Sequence, residues 1–546
     1  MDNIICSLSV FGDLSVLLWT MELNDTICAP ATVPGTGAIT VIRVSGPEAL
    51  SVADRIFRSR QGSLCDAAGY TIRFGSVVER SGEALDEGAG SLAGSLGADA
   101  GSLAGLMGEG AGATEASLEE RVVDDVLVSV FRAPHSYTGE DSVEISCHAS
   151  SYIASRILSS LCTAGARLAE PGEFTQRAFV NGKMDLAQAE AVADVISSTS
   201  SASHRLALTQ MKGGFSRELA GIRDALVELT SLLELELDFS EEEVEFANRE
   251  RLRSLLLSAS SRIRSLAESF RLGNALKSGV PVAIVGEPNV GKSTLLNALV
   301  GDDRALVSDI AGTTRDSIEE TVVIGGVGFR FIDTAGLRES DEIVERMGID
   351  RTWKMLSGAD LVLAMIDATR SPDDATHFLA ELAGKLDWKR QQCLVLVNKV
   401  DANKNVKALN KVVSSAIPQA VYLEIAARSG LGLDDLRQWL VQAVSDRIAA
   451  AGTPYVGRPS ASTASAQGQI PTAGEMVLVT NARHHQALRQ TADALDAALS
   501  GLDAGTPSDL IAQDLRAALH HLGTITGSIT TDEVLGEIFG KFCIGK

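Results

Sequence analysis

Residues 282–285 form a short apolar run that leads directly into Gly286-Glu-Pro-Asn-Val-Gly291-Lys292-Ser293. The helical spacing of Leu295, Leu296 and Leu299 follows at once. Strand, glycine-bearing loop and helix in this order make a phosphate loop in its required context. This stretch therefore commits the middle of the chain to a P-loop α/β domain. The glycines let backbone N–H groups turn inward around phosphates, and the helix N-terminus adds a favourable partial charge. Lys292 is expected to reach the β- and γ-phosphates, and Ser293 to offer a hydroxyl to Mg²⁺. The loop and first turn, Asn289, Val290, Gly291, Lys292, Ser293 and Thr294, are the first part of the candidate nucleotide site.

Three further elements follow in the order such a domain needs. Asp333, Thr334, Ala335 and Gly336 come directly after the strand-like residues 329–332. An acid at a strand end can support the magnesium shell, and the Gly336 N–H can face the γ-phosphate. Asn398, Lys399, Val400 and Asp401 follow the apolar residues 394–397. The Asp401 carboxylate can accept two bonds from guanine N1–H and the N2 amino group. Adenine lacks that donor pair and would leave the acid unpaired. This element turns an NTPase reading into a GTPase reading. Between them, Gly312, Thr313 and Thr314 lie in a switch loop where a threonine can complete the magnesium shell. Ala426, Ala427 and Arg428 follow the strand-like residues 421–425, where a serine usually leads; Ala426 removes that hydroxyl from the base pocket.

Ras-like enzymes orient the attacking water with a glutamine just after the Asp-x-x-Gly element. Here that position is Leu337, which cannot polarise water. Arg338, Glu339, Asp341, Glu342 and Glu345 follow closely. A carboxylate among them suits the task, but by sequence alone each also reads as a solvated surface charge.

The chain has 546 residues, too many for a single core; at about 100–200 residues per domain it holds three or four. Its net charge of −23 argues against binding nucleic acid mainly through its own phosphate contacts; if a nucleic acid is the substrate, a local patch or a partner must supply positive surface. The seven cysteines are dispersed and none forms a Cys-x-x-Cys pair, which reads as reduced thiols in the cytoplasm. No apolar run approaches the ~18 residues of a membrane span. Residues 4–20 lack a basic start and a cleavage site, so no signal peptide is expected. The expectation is that residues 1–20 are a non-native or disordered extension with Met21 as the start.

Residues 38–44 and 122–131 carry the β-branched content of strands in a mixed α/β domain. Between them, residues 82–120 are rich in Gly, Ala, Ser and acids, repeat Gly-Ser-Leu-Ala-Gly, and hold no Lys or Arg; a flexible insertion is expected. Leu219, Ile222, Leu226, Leu229 and Leu233 define one helix face, and Leu252, Leu255, Ile263, Leu266 and Phe270 another. Helical spacing returns at Leu488, Leu495, Leu499 and Leu502, then at Leu515, Leu519 and Leu522, after a loose Ser/Ala/Pro/Gly segment at 452–474. The economical architecture inserts the nucleotide domain into a helical domain.

Several motifs make the chain similar to the bacterial tRNA-modification GTPases of the MnmE or TrmE family. They are Asn24-Asp-Thr-Ile27, Ser136-Tyr-Thr-Gly-Glu-Asp141, Glu170-Pro-Gly-Glu-Phe174, Lys183-Met-Asp-Leu-Ala-Gln-Ala-Glu190, Ile310-Ala-Gly-Thr-Thr-Arg-Asp316 and the terminal Phe542-Cys-Ile-Gly-Lys546. The resemblance implies a multidomain α/β plus all-α protein. Residues 21–180 would form a folate-binding and dimerisation domain, and 181–278 and 448–546 the two parts of a helical domain. Residues 279–447 would form the Ras-like GTPase domain. It implies a homodimer that joins an FAD-dependent partner protein in a heterotetramer, the FAD residing only in the partner. With that partner and a 5-formyl- or methylene-tetrahydrofolate it would modify carbon 5 of the tRNA wobble uridine, adding an aminomethyl or carboxymethylaminomethyl group. No membrane is involved.

Carried over by motif, the GTP set gains Ser308, Asp309, Ile310 and Ala311. K⁺ would lie on Asn289, Ser308, Ile310 and Thr313, and Mg²⁺ on Ser293 and Thr314. Glu345 matches the water-orienting glutamate. Arg43, Glu144, Lys183 and Lys546 match the folate site; an arginine and lysines suit the glutamate tail and a carboxylate suits the pterin donors. Cys543 is a candidate nucleophile toward the uridine, and a tail thiol without chemical role is the equal alternative. One departure bears on the folate pocket: Cys147-His-Ala-Ser150 stands where the family carries Gly-His-Gly-Gly. The competing reading is a GTP-switched ribosome or RNA assembly factor without folate chemistry.

Overall fold

The structure is a computed structural model. It describes residues 24–33, 35, 37–80, 120–238, 249–302, 320–332, 356–402, 406–450, 477–540, 542 and 545. The expected extension at 1–20, the insertion up to residue 119 and the loose segment 452–474 lie outside the described residues.

The chain divides into two compact units, Met1–Met184 with Thr531–Lys546, and Asp185–Thr530. In the first, strands β1 (Ile27–Pro30), β2 (Ile39–Ser45), β3 (Phe57–Arg58), β4 (Thr71–Arg80), β5 (Glu120–Phe131), β6 (Ser142–His148) and β7 (Arg167–Leu168) form one sheet in the order β3-β4-β5-β6-β2-β1-β7. Alternation along β5 and β6 sends Val126, Val128, Val130, Val143 and Ile145 into a core shared with helices α1 (Ala49–Ile56) and α2 (Ser151–Thr163). Helix α3 (Glu173–Val180) follows. The terminal helix Asp532–Phe539 packs on α3 through Phe539 and Phe179, ring centroids 6.4 Å apart. Gly172 (φ +73°) is needed there, because a Cβ would collide with the Phe539 carbonyl oxygen. By contacts, residues 531–546 group with the N-terminal unit. Helical periodicity shows that a helix has an apolar face, not which neighbour covers it.

The second unit begins with α4 (Leu186–Ser197), α5 (Ser201–Met211), α6 (Gly214–Asp238) and α7 (Arg249–Ser278). The five residues of the expected α6 face are all buried. They share one core with Leu252, Ile263 and Leu266 of α7 and with Leu488, Leu495, Leu515 and Leu522 of the late helices Ala482–Ala504 and Ser508–Thr526. The two helical stretches thus pack together although an α/β sheet separates them in sequence. That sheet holds β8 (Val280–Gly286), β9 (Glu320–Ile324), β10 (Val327–Phe331), β11 (Leu361–Asp367), β12 (Gln392–Asn398) and β13 (Val421–Glu424) in the order β13-β12-β11-β8-β10-β9. All neighbours are parallel except β9 with β10. Strand β11 is buried at every position, as a central parallel strand should be. The fold is therefore a P-loop α/β domain set into a helical domain, with a separate α/β N-terminal unit.

Candidate functional site

In a parallel sheet the C-terminal strand ends converge on one edge, where ligands bind. Here β8 ends at Gly286, β11 at Asp367 and β12 at Asn398, with Met365 paired to Gly286 and Asp367 to Asn398. The phosphate loop and the guanine motif thus meet on one edge. Helix α8 (Lys292–Asp302) starts directly after the loop.

The loop backbone depends on two left-handed residues, Asn289 (φ 62°) and Gly291 (φ 104°). A Cβ at Gly291 would lie 2.5 Å from Asn398 Nδ2, so only glycine fits. Asn398 is buried and joins two motifs. Its Nδ2 donates to the Val290 carbonyl at 2.7 Å, and its Oδ1 accepts from the Ala427 N–H at 3.0 Å. Lys292 Nζ donates to the Gly286 and Glu287 carbonyls at 2.8 and 3.0 Å. Burial pushes its ammonium below the ordinary lysine value, and the Glu287 carboxylate acts in the opposite direction. Ser293, Thr294 and Asn289 are exposed, so both hydroxyls and the amide are accessible from solvent. A hydroxyl at the first turn of α8 suits a hard cation such as Mg²⁺.

Lys399, also left-handed at φ 64°, donates to the Asn289 carbonyl at 2.9 Å and to Asp367 Oδ2 at 2.7 Å. Burial raises the Asp367 carboxyl, but hydrogen bonds from Lys399 and from the Thr369 hydroxyl and amide outweigh it and hold the group below its usual range. Three residues on, Arg370 pairs with Glu287 at 2.6 Å and donates to the Pro288 carbonyl at 3.2 Å. Residues 367–370 therefore brace the outer side of the phosphate loop against the guanine motif. The sequence reading missed this brace. Its signal was an acid closing the apolar run 361–366, the same strand-end placement that marked Asn398. Asp401 is exposed at the mouth, Val400 donates to the Ile425 carbonyl at 3.3 Å, and Ala426 and Ala427 are buried while Arg428 is exposed. The hydroxyl absent at Ala426 is not needed to hold the turn, which closes through Ala426 N–H to the Leu431 carbonyl at 3.0 Å.

Ser308, Asp309, Ile310, Ala311, Gly312, Thr313, Thr314, Asp333, Thr334, Ala335, Gly336, Glu345, Cys543 and Lys546 lie outside the described residues. Among the described residues, no group of three or more His, Cys, Asp or Glu side chains is arranged to hold a metal.

In the N-terminal unit, Arg43 and Glu144 are cross-strand partners on β2 and β6. Arg43 donates twice to Glu144 Oε1, at 3.0 and 2.8 Å, and its guanidinium stands 5.2 Å from the Tyr137 ring centroid and 5.7 Å from that of Phe174. Both bonds fall on Oε1, and the half-buried Glu144 carboxylate keeps further acceptor capacity. Lys183 donates to the Pro134 carbonyl at 2.8 Å, and its stem crosses Gly139. The segment 134–141 thus carries contacts to both Arg43 and Lys183. Gly545 lies so close to the Pro30 carbonyl that a Cβ would collide with it, which seats this glycine beside the end of β1. In the Cys147–Ser150 segment Cys147 is buried, and a Cβ at the nearby Gly37 would stand 3.8 Å from that of Ala149.

The motifs around 136–141 and 170–174 have a structural task that the sequence did not reveal. Arg177, buried, binds Asp25, Glu140 and Glu173, while Arg167 binds Asp25 and Glu173 at 2.7 Å each.

Comparison with known proteins agrees with this arrangement. The family description "MnmE helical domain" matches residues 186–543, and "GTP-binding protein TrmE N-terminus" matches 26–93 and 108–183, breaking inside the tract read as an insertion. The "tRNA modification GTPase MnmE" of Parabacteroides distasonis is 45% identical over 96% of this chain and 100% of that protein. Its namesake in Bacteroides fragilis is also 45% identical, over the same shares. A GTP-binding protein of Sulfolobus solfataricus solved with GDP overlaps 45% of this chain and 72% of its own at 19% identity and a TM-score of 0.24, too loosely to bear on the site. With such identity sustained from end to end, the chain belongs to the MnmE family of tRNA modification GTPases.

Proposed function

We propose that this protein hydrolyses GTP to drive modification of carbon 5 of the tRNA wobble uridine, together with a flavoprotein partner and a tetrahydrofolate one-carbon unit. The observation that carries the GTPase part is Asn398, which locks the phosphate loop to the base-side turn, so that both ends of a guanine nucleotide are held by one rigid edge. Asp401 would accept the guanine N1–H and N2 donors. Lys292, already turned toward the loop, would neutralise phosphate charge as it develops. Ser293, with Thr314, would hold Mg²⁺; Asn289, with Ser308, Ile310 and Thr313, would hold K⁺. These cations would supply positive charge that offsets the negative charge developing in the transition state. Glu345 would orient the attacking water in place of the glutamine that Leu337 replaces. Arg43, Glu144, Lys183 and Lys546 would bind the folate, which supplies the one-carbon unit.

Mass analysis of tRNA from cells lacking the gene tests the whole reading. The wobble-uridine modification should disappear and return with the intact gene; its persistence would sink the proposal and favour a GTP-switched assembly factor. The cation part has its own test. GTP turnover in KCl should exceed that in NaCl at equal ionic strength by about tenfold, as expected for added charge at the transition state. Equal rates would remove the K⁺ site.

A dimer is supported by the outer face of the N-terminal sheet, where Ile72, Phe74 and Leu127 are 64%, 62% and 47% exposed and Phe74 stands directly opposite Leu127. Apolar side chains clustered on a solvent-facing sheet mark an interaction surface. Phe74→Asp combined with Leu127→Asp should halve the mass measured by light scattering. An unchanged mass would place the dimer contact elsewhere.

A further inference from the structure

A group of arginines stands at the opposite end of the nucleotide sheet from the GTP site. Asp360, 4% exposed, immediately precedes β11, and Arg390 lies two residues before β12. Both belong to the N-terminal strand edge, about 20 Å along a seven-residue strand from the phosphate loop. Arg271 Nη2 donates to Asp360 Oδ1. Arg447 Nη1 lies 3.3 Å from Oδ2, and its Nη2 donates to the Asp360 and Arg390 carbonyls at 2.7 and 2.9 Å. Arg390 Nε approaches Oδ1 only to 3.9 Å, beyond hydrogen-bond reach.

Among the described residues one carboxylate therefore faces three guanidiniums, and a charge of about +2 is left over in the cluster on a chain of net charge −23. Asp360 and Arg447 account for the structural tie between sheet and helices: Asp360 is buried, and the half-buried Arg447 donates to two backbone carbonyls. Arg271 and Arg390 do not need to crowd the same oxygen for that purpose, and their side chains are 44% and 39% exposed. The mutual repulsion is felt inside the cluster. Burial first, then Arg271 and Arg390, lower the Arg447 value against the pull of Asp360. An anion placed outside Arg271 and Arg390 would relieve this repulsion, and the planar guanidinium fork matches the paired oxygens of a phosphate.

We propose that Arg271 and Arg390 form a contact for a backbone phosphate of RNA. This rests on the tRNA reading above and gives it a local positive surface on an acidic chain. A free phosphate ion would gain little at so open a place, where exposed ion pairs are weak. A polyanion adds neighbouring contacts and releases counterions, so the same two arginines count for more.

The test uses the full-length protein and an unmodified tRNA transcript, with binding measured across a salt series. Arg390→Gln and the double variant Arg271→Gln with Arg390→Gln are compared with Arg390→Lys and with Arg516→Gln, which removes an exposed charge paired with Glu234 elsewhere. The Gln variants should bind about three- to tenfold more weakly per guanidinium removed, and the slope of log K against log salt should fall by about 1 for each. Arg390→Lys should retain most of the slope, and GTP turnover without RNA should stay within about twofold of the parent, because the cluster is remote from the phosphate loop. Millimolar inorganic phosphate should not compete. Wild-type binding with Gln variants indistinguishable from Arg516→Gln overturns the contact and leaves the tRNA reading standing. Competition by inorganic phosphate at that concentration overturns it in favour of a small-anion site. Absence of wild-type binding even at low salt also overturns it, and the wobble-uridine analysis then decides the tRNA reading separately.

Discussion

Lys292→Ala should reduce GTP turnover, as kcat/KM, by about 10²–10³-fold, equivalent to roughly 3–4 kcal/mol of lost transition-state stabilisation. The ammonium has three donors, and two are satisfied by the Gly286 and Glu287 carbonyls, which fix the side chain across the loop. The group is thus positioned before any phosphate arrives, and no reorganisation is needed when charge develops at the β–γ bridge. It is half-buried, where a charge acts more strongly than in water. GDP affinity should fall much less than turnover, because the charge that grows in the transition state lies beyond the β-phosphate. Lys292→Arg should not rescue, since a planar fork cannot direct donors to two loop carbonyls and a phosphate from one point. Turnover within about threefold of the parent would mean that another cation performs this role.

The parts of the site that could be read from sequence are those whose backbone demands are local. Gly291 has to be glycine because of its φ and its approach to Asn398, and Val280–Gly286 has to be apolar because both faces of β8 are covered. Asn398 could be placed because it ends an apolar strand in a known order with the phosphate loop. The unread parts are contacts between distant residues of ordinary surface type. Arg370 and Glu287 are separated by 83 residues, and Arg43 and Glu144 by 101. Taken singly, each looks like a solvated charge. Only the sheet register brings Arg43 opposite Glu144, and only the strand-end convergence brings Asp367 to Lys399. Periodicity likewise reports a helix face without its partner, so the grouping of residues 531–546 with the N-terminal unit by contacts could not be read from spacing.

Arg177→Ala should destabilise the N-terminal unit by about 3–5 kcal/mol, the usual cost of removing one partner from a buried ionic group. The guanidinium is 1% exposed and binds Asp25, Glu140 and Glu173 together, with a further bond to the Asp25 carbonyl at 2.7 Å. Its loss leaves three acids with Arg167, which reaches only Asp25 and Glu173. Hydrogen exchange should show the loss at Ile27–Pro30 and Glu173–Val180, while β8 and β12 keep their protection. The pH dependence follows from the carboxyls. Burial raises both Asp25 and Glu173, but bonds from Arg167 and Arg177, with the Glu170 amide at Glu173, bring both below their ordinary values. A carboxyl whose folded value lies below its unfolded value stabilises the fold above the unfolded value, and that contribution disappears as pH falls through the folded one. The parent should therefore keep this part of its stability at mildly acidic pH. In Arg177→Ala the opposing bonds are weakened and burial gains weight, so loss of protection should begin at higher pH than in the parent. A variant with the parent's acid profile would show that Arg167 alone holds both acids, and that the Glu140 and Glu173 motifs are tied to the fold by something other than Arg177.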